Sequence, residues 1–268
     1  DVPINDIEIS TDVKFDYLGG SFKRNYFTDD ELKYGNIQVG LSPSFQLKQD
    51  DLTINLGVSL FYLNDRASGD NKVYLYPNIS ATYRLVNDVL IAYGGIQGDL
   101  IQNSYHGFAN ENPFVSPTLN IVPTDQVYNA YVGLKGKVSS NMSYNISGHY
   151  KADRSKALYK SNMIKNVSAQ RDYEYGNSFG IVYDDLETFG FSGEINVDVN
   201  RNFILGLKAE YFSYNTDNEK EAWNLPDIKG SLFVDYQIDQ HWFAGANLFY
   251  VGERKDETVL EGSLLPED

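Results

Sequence analysis

Polar and apolar residues alternate with a period of two through most of the chain. Between Met142 and Asp153 the even-numbered residues are Met, Tyr, Ile, Gly, Tyr and Ala, whereas the odd-numbered residues are polar or charged. Successive side chains of a β-strand point to opposite faces, so this period is typical of a strand with two different faces. Helical periodicity is almost absent. The sequence therefore predicts an all-β chain.

The alternation predicts eleven strands. Their predicted spans are 7–18, 36–48, 52–63, 73–86, 89–99, 126–138, 142–153, 178–199, 203–214, 228–238 and 242–253. We call the residues of a strand with odd numbers one parity and those with even numbers the other, since each set lies on one face. The eighth strand is long, but the apolar residues of one face keep the same parity before and after Asp184 and Asp185, which favours a single strand. These two carboxylates then point to opposite faces, and we expect a solvated extension of the strand instead of a catalytic pair. Because proline cannot donate a ladder hydrogen bond, Pro43 and Pro77 predict bulges or local edges.

The connections between these strands alternate between short turns and long loops. The short turns are 49–51, 87–88, 139–141, 200–202 and 239–240, and the long loops are 19–35, 64–72, 100–125, 154–177 and 215–227. One end of the sheet thus carries only turns and the other only loops, as in outer-membrane barrels. About 11 residues at roughly 3.3 Å each, tilted by about 40°, also span an apolar band of ~25 Å. The predicted fold is an antiparallel transmembrane outer-membrane β-barrel.

Aromatic residues of the apolar parity cluster near both ends of the predicted strands. The loop-side set is Tyr17, Tyr62, Tyr128, Tyr150, Tyr183, Tyr211 and Tyr250, and the turn-side set is Phe45, Tyr83, Tyr144, Phe203, Tyr236 and Trp242. Two such girdles mark the lipid–water interfaces of a membrane barrel. A soluble sandwich or lipocalin-like barrel is the alternative, but its core would not place tyrosines preferentially at both rims.

The polar parity, which is the second face of each strand, carries both positive and negative charges and would line the lumen of the barrel. Its residues are Lys14, Lys48, Arg84, Lys135, Lys137, Lys151, Lys208 and Lys229 with Asp12, Glu194, Asp198, Glu210 and Asp235. A three-residue hairpin at 200–202 would place Glu194 directly opposite Lys208, and we expect the two charges to meet there. Loop 154–177 is basic in an otherwise acidic chain. It indicates either an anion or lipopolysaccharide contact or, as the favoured alternative, a solvated loop.

Composition argues against several classes of function. The formal charge of −15 disfavours a nucleic-acid partner, and the absence of cysteine excludes disulfides and thiolate chemistry. No apolar run approaches the roughly 20 residues of a membrane helix. His106, His149 and His241 are far apart in the sequence and show no metal-ligand spacing. No serine–histidine arrangement or phosphate-binding glycine loop stands out, so we predict neither enzymatic activity nor a cofactor.

An odd number of strands cannot close a simple bacterial barrel. Residues 261–268 form a polar tail where an apolar last strand with a terminal aromatic residue would be expected. We therefore expect 1–268 to be a fragment of a single β-barrel domain that lacks C-terminal strands and contains no plug domain.

Three short runs resemble the barrel of TonB-dependent receptors and their plugless relatives. They are Tyr183–Asp184–Asp185, segment 221–226 (EAWNLP) and segment 251–256 (VGERKD), and the resemblance covers essentially all 268 residues. It implies a 22-stranded barrel in the outer membrane that imports a scarce large nutrient with energy from the inner membrane. Its partners would be outer-membrane lipid, an inner-membrane energy-coupling protein and a surface lipoprotein. The alternative function is a non-transporting barrel that serves as a scaffold or assembly subunit for surface proteins.

Overall fold

A computed structural model describes residues 2–4, 7–28, 30–165 and 170–257 of the chain. These residues form one antiparallel sheet in which each strand pairs with its sequence neighbours. The strands and helix are β1 (Val2–Ile4), β2 (Ile7–Phe22), β3 (Leu32–Gln49), β4 (Leu52–Asp65), β5 (Asn71–Val86), β6 (Leu90–Ile101), α1 (Tyr105–Glu111), β7 (Thr124–Ser139), β8 (Met142–Ser161), β9 (Phe179–Asn200), β10 (Phe203–Thr216), β11 (Ile228–Gln237) and β12 (Phe243–Val251). All eleven predicted strands are confirmed as β2 to β12, whereas β1 and α1 were not predicted.

The two parities form an outward face and a concave face. On β2, Lys14 Nζ donates to the backbone oxygen of Leu100 on β6 at 3.0 Å, although three strands lie between them in the sheet. The sheet curves toward the polar parity, and this curvature brings Lys14 and Leu100 together. The polar parity therefore forms the concave face. The apolar parity forms the outward face, where Val13 and Leu75 are 74% and 69% exposed. Within the described residues, no helix has the length and apolar character to cross a membrane.

The buried core lies at the loop end of the sheet, on the concave face. Pairing between β5 and β6 reaches only as far as Gln97, where β6 also has a bulge against β7. Leu100 then packs against Phe61 and Tyr76 on the concave face of β4 and β5. Gly98 permits this close approach, since a Cβ atom there would lie 2.6 Å from the Tyr76 ring and 2.7 Å from the Val127 backbone oxygen. The loop end of β6 therefore folds across the inside of the sheet.

Both in-strand prolines lie where pairing is interrupted. The β3–β4 ladder pairs Leu41 with Leu60 and Ser44 with Gly57, and the ladder skips Pro43 between them. Pairing of β5 with β6 starts at Asn78, one residue beyond Pro77. The register of β3 against β4 is the same on both sides of Pro43, so neither proline marks a bulge, and the local edge, the other predicted outcome, is found at both.

Strand β8 continues eight residues beyond its predicted end at Asp153. A bulge over Arg154 and Ser155 shifts the β8–β9 register, and Ser155 has a φ of 52°. Two hydrogen bonds hold the bulge: Ser155 N donates to Asp185 Oδ1 at 3.0 Å, and Thr124 Oγ1 donates to the Ser155 oxygen at 2.9 Å. The bulge exchanges the faces of the two parities. The prediction of a loop at 154–161 is wrong, because the alternation changes phase there.

The register of β9 against β10 is the predicted one, with Glu194 directly opposite Lys208. The turn itself differs from the prediction. Asn200 pairs with Phe203, so the turn has two residues, and an adjacent bulge restores the predicted register from Ile204 onward. Asn200 Oδ1 accepts a hydrogen bond from Asn202 N at 2.8 Å, which stabilises the tighter turn.

Candidate functional site: the concave face and its loop cap

The concave face carries mixed charges, as predicted, but they pair differently. Lys208 Nζ contacts Glu210 Oε1 at 2.8 Å, and Glu194 Oε1 accepts from Asn196 Nδ2 at 2.7 Å. The expected contact between Lys208 and Glu194 is therefore wrong, although the two residues are opposite each other. Residues two apart on a strand share a face, so long side chains can pair along the strand instead of across it. At their partial exposure such pairs contribute little to stability.

Aromatic pairs also line the concave face. Tyr74 and Tyr76 stack with ring centroids 6.0 Å apart on β5, and Phe212 and Tyr214 stack at 6.1 Å on β10. Tyr76 Oη donates to Asp125 Oδ1 at 2.7 Å. These rings were not among the predicted aromatic residues, because they lie on the polar parity. Their signal was the presence of Tyr and Phe at positions where the alternation predicts polar residues.

The described residues of 23–31, 102–123, 162–178, 217–227 and 252–257 pack together at the loop end of the sheet, and we call them the loop cap. Its central part contains α1, whose N-terminus is capped by Ser104 Oγ accepting from Gly107 N at 3.0 Å. Tyr105 lies 5.4 Å from Phe22 on β2, and Phe108 lies 6.1 Å from Tyr159 on β8, measured between ring centroids. Helix α1 thus connects strands that are six positions apart in the sheet.

Two basic residues of predicted loop 154–177, Lys165 and Arg171, support the cap from within. The Glu174 carboxylate is buried and accepts from Lys165 Nζ at 3.0 Å and from Arg171 at 2.8 Å. Lys165 also lies 4.8 Å from the Tyr26 ring centroid, and Tyr26 Oη donates to the Met163 oxygen at 2.6 Å. A buried carboxylate that binds two cations stabilises the packing of the cap. These charges therefore do not form the solvated loop that we expected.

Asp184 is buried, contrary to the expected solvated extension. It is 2% exposed, and its carboxylate accepts hydrogen bonds from Asn218 N, Asn218 Nδ2, Glu219 N and Asp185 N at 2.7–3.1 Å. Burial raises the pKa of Asp184, but these donors outweigh that effect and hold the pKa below its ordinary value of 3.8. Asp184 therefore fixes the loop after β10 as an anion.

Tyr183 on β9 contacts the loop cap and does not belong to the loop-side girdle. Its hydroxyl donates to the Asn120 oxygen at 3.0 Å and accepts from Val122 N at 3.2 Å. Burial raises the pKa of Tyr183 to about 12. The prediction that it faces lipid is wrong because the β6–β7 loop covers it.

Two of the runs that carry the family resemblance contact each other in the cap. Asn224 N, in segment 221–226, donates to the Lys255 oxygen at 2.9 Å, and Lys255 Nζ contacts Glu221 Oε2 at 2.8 Å. Lys160 on β8 contacts Glu219 at 3.2 Å and Glu257 at 2.8 Å, and these residues lie just outside the two segments. Burial lowers the pKa of Lys160, but hydrogen bonds to the two carboxylates outweigh it and raise the pKa.

The other girdle residues lie at the two ends of the outward face. On the loop side, the exposed tyrosines are Tyr17, Tyr62, Tyr150, Tyr211 and Tyr250, and Tyr128 is half-buried against Tyr150. On the turn side, Phe45, Tyr83, Tyr236 and Trp242 are exposed, whereas Tyr144 and Phe203 are half-buried. The structure places these rings where the alternation predicted them, and their contact with lipid stays a prediction.

The three histidines occupy separate places. His106 lies on α1 beside Asn110, His149 on the concave face of β8, and His241 in the turn before β12. In the part of the chain that the structure describes, no cluster of three or more His, Asp or Glu side chains could hold a metal ion.

Solved structures share this fold at low sequence identity. The copper transporter OprC matches with a TM-score of 0.61 and 13% identity over 93% of this chain and 41% of its own. The ferripyoverdine receptor of the outer membrane of Pseudomonas aeruginosa matches with a TM-score of 0.56 and 15% identity over 90% and 35%. The siderophore receptor PiuA from Acinetobacter baumannii matches with a TM-score of 0.55 and 8% identity over 93% and 44%.

The chain thus spans about two fifths of the length of the structures it matches. No protein-family model and no curated protein sequence matches it. The fold is that of the barrel of TonB-dependent outer-membrane receptors, as the sequence resemblance indicated.

Proposed function

We propose that the chain is part of an outer-membrane β-barrel of the TonB-dependent receptor type that takes up a solute. The observation that carries this proposal is the division of one curved sheet into two surfaces. The outward face exposes apolar side chains with aromatic rings at both ends, as a lipid-facing wall requires. The concave face is polar and lies beneath a packed loop cap, as expected of a lumen with a surface-exposed recognition region.

The matched structures support a role in uptake. OprC is a copper transporter and PiuA a siderophore receptor, so this fold occurs both in a transporter and in a receptor for a solute. We take residues 1–268 to be a portion of a single barrel domain. Outer-membrane lipid, an inner-membrane energy-coupling protein and a surface lipoprotein are the proposed partners. No catalytic role is proposed.

Solute depletion from the growth medium tests uptake. Cells that lack the full-length protein are compared with cells that produce it. Uptake predicts a solute that disappears from the medium only when the protein is produced. Equal depletion in all strains, together with the loss of a surface protein from the deletion strain, would favour the scaffold function instead.

A further inference from the structure

A groove crosses the outward face of β2 to β5 on the turn side of the sheet. Two neighbouring rows of cross-strand partners form it. The row nearer the turns has large side chains, which come from Ile9, Phe45, Leu56 and Ile79. The next row has shorter side chains, which come from Thr11, Pro43, Val58 and Pro77. The step from large to short side chains leaves an open channel across the strands.

The floor of this groove consists of backbone and apolar side chains. The β3–β4 ladder skips Pro43, which lies on the floor. Ser44 and Gly57 border the groove only with their backbone, because glycine has no side chain and the Ser44 hydroxyl lies on the concave face, hydrogen-bonded to β2 at 2.9 Å. The volume of the groove is about 600 Å³, in the range of small-molecule sites. Phe45 and Ile79 are 40% and 41% exposed, so the groove is open to the surroundings of the sheet.

The groove rises from the turn-side girdle toward the centre of the apolar band. Phe45, at one end of the groove, belongs to that girdle. Ile79, at the other end, is four residues from Tyr83 of the same girdle, and each residue advances the strand by about 3.3 Å. At a strand tilt of about 40°, Ile79 therefore lies roughly 10 Å from Tyr83 along the membrane normal. Half of an apolar band of ~25 Å is about 12 Å, so the groove spans nearly the depth of one leaflet.

The chemistry of the groove suits a hydrocarbon chain and not a head group. Among the residues that the structure describes, no charged side chain borders it. An ordered chain in the groove contacts Pro43 and Val58 along its length and gains dispersion energy, which mobile lipid chains that bridge the groove do not provide. Short turns of an outer-membrane barrel face the periplasm, so the groove opens to lipids of the periplasmic leaflet.

We propose that this groove binds one acyl chain of a phospholipid of the periplasmic leaflet. The chain enters beside Phe45, lies on Pro43 and Val58, and ends near Ile79. This lipid remains bound while the other lipids around the barrel exchange. The site rests on the lipid-facing outward surface of the proposed function, and it goes beyond that function because it is an individual lipid site that does not depend on uptake.

Native mass spectrometry of the delipidated full-length protein, titrated in detergent micelles with palmitoyl-oleoyl phosphatidylethanolamine or phosphatidylglycerol, tests the site. We expect one tightly bound lipid, with similar affinity for the two head groups and much weaker binding of their dihexanoyl analogues. Val58→Phe fills the groove and should weaken binding by about tenfold or more. The control Val132→Phe adds the same ring on the outward face of β7, outside the groove, and should change affinity by less than about twofold.

Ile79→Ala provides a second variant that introduces no clash. It removes one wall of the groove and should weaken lipid binding by about fivefold or more, whereas the control Leu75→Ala, on the same face of β5 outside the groove, should change it by less than about twofold. Equal effects of each variant and its control, a marked preference for one head group, or a protein dimer in place of the lipid complex would overturn the proposal.

The groove and the lipid-facing surface can fail separately. Absence of the bound lipid in a protein that arginine substitutions on the outward face still destabilise in vesicles would refute this site alone. If those substitutions are also tolerated, the lipid-facing surface of the proposed function is wrong as well.

Discussion

Leu207→Arg is expected to destabilise the barrel strongly in a lipid bilayer. Leu207 is 52% exposed on the outward face of β10, midway between Phe203 and Tyr211. Leu207 is four residues from each of these rings, and each residue advances the strand by about 3.3 Å. At a strand tilt of about 40°, each ring therefore lies roughly 10 Å from Leu207 along the membrane normal. Leu207 therefore lies near the centre of an apolar band of ~25 Å.

An arginine at the bilayer midplane of a barrel costs about 2–4 kcal/mol, which is roughly a 30- to 900-fold change in the folding equilibrium. Ser192→Arg is the matched control, because Ser192 lies on the concave face directly opposite Glu210. It loses one hydrogen bond, to Ser147 at 3.0 Å, and should cost at most about 1 kcal/mol.

Urea unfolding of the full-length protein in phospholipid vesicles, followed by tryptophan fluorescence, measures both costs. We expect Leu207→Arg to lower the free energy of unfolding by at least about 1 kcal/mol more than Ser192→Arg does. Equal costs, or a larger cost for Ser192→Arg, would refute the assignment of the outward face to lipid.

Two further substitutions test the inward fold of β6 and the loop cap. Gly98→Ala should lower the free energy of urea unfolding by about 1–3 kcal/mol, because the new Cβ would meet the Tyr76 ring and two backbone oxygens. The control Gly193→Ala should be nearly neutral, because no atom lies within 4 Å of its new Cβ. Equal effects of the two substitutions would contradict the close approach of β6 to Tyr76. The native pKa of Asp184 is below 3.8, so its carboxylate stabilises the cap above pH 3.8 and this stability is lost as pH falls through the native value. At pH 7, Asp184→Asn should therefore speed hydrogen exchange at the amides of 218–219, and Asp185→Asn should not; protection unchanged in Asp184→Asn would contradict this role.

The strands were predictable because their signal is local. Alternation fixes which side chains share a face, and it placed Glu194 opposite Lys208 even though the turn between their strands was predicted one residue too long. The signal fails where the backbone changes phase, as at Ser155, where a bulge with a positive φ exchanges the two faces of β8. Beyond that residue the same pattern was interpreted as a loop.

The loop cap was not predictable from the alternation. Tyr26 contacts Met163 across 137 residues of sequence, and no periodic pattern indicates such a contact. Asp184 shows the same limit, since its sequence context indicated an exposed charge, but the loop after β10 supplies donors that bury it. The cavity that Asn36 and Asp65 line together with residues 120–123 likewise depends on a loop more than fifty residues further along the chain.

Spin-label accessibility along β10 tests the central claim most directly. Residues 1–268 contain no cysteine. Single cysteines at positions 205 to 210 can therefore each carry a label in the full-length protein, with any cysteine outside residues 1–268 replaced by serine, after reconstitution into vesicles. Labels replacing Leu205, Leu207 and Ala209 should be relaxed by oxygen dissolved in the bilayer, and labels replacing Gly206, Lys208 and Glu210 by a water-soluble nickel chelate. Accessibility that does not alternate, or that alternates in the opposite phase, would contradict a lipid-facing outward surface and a solvent-filled concave one.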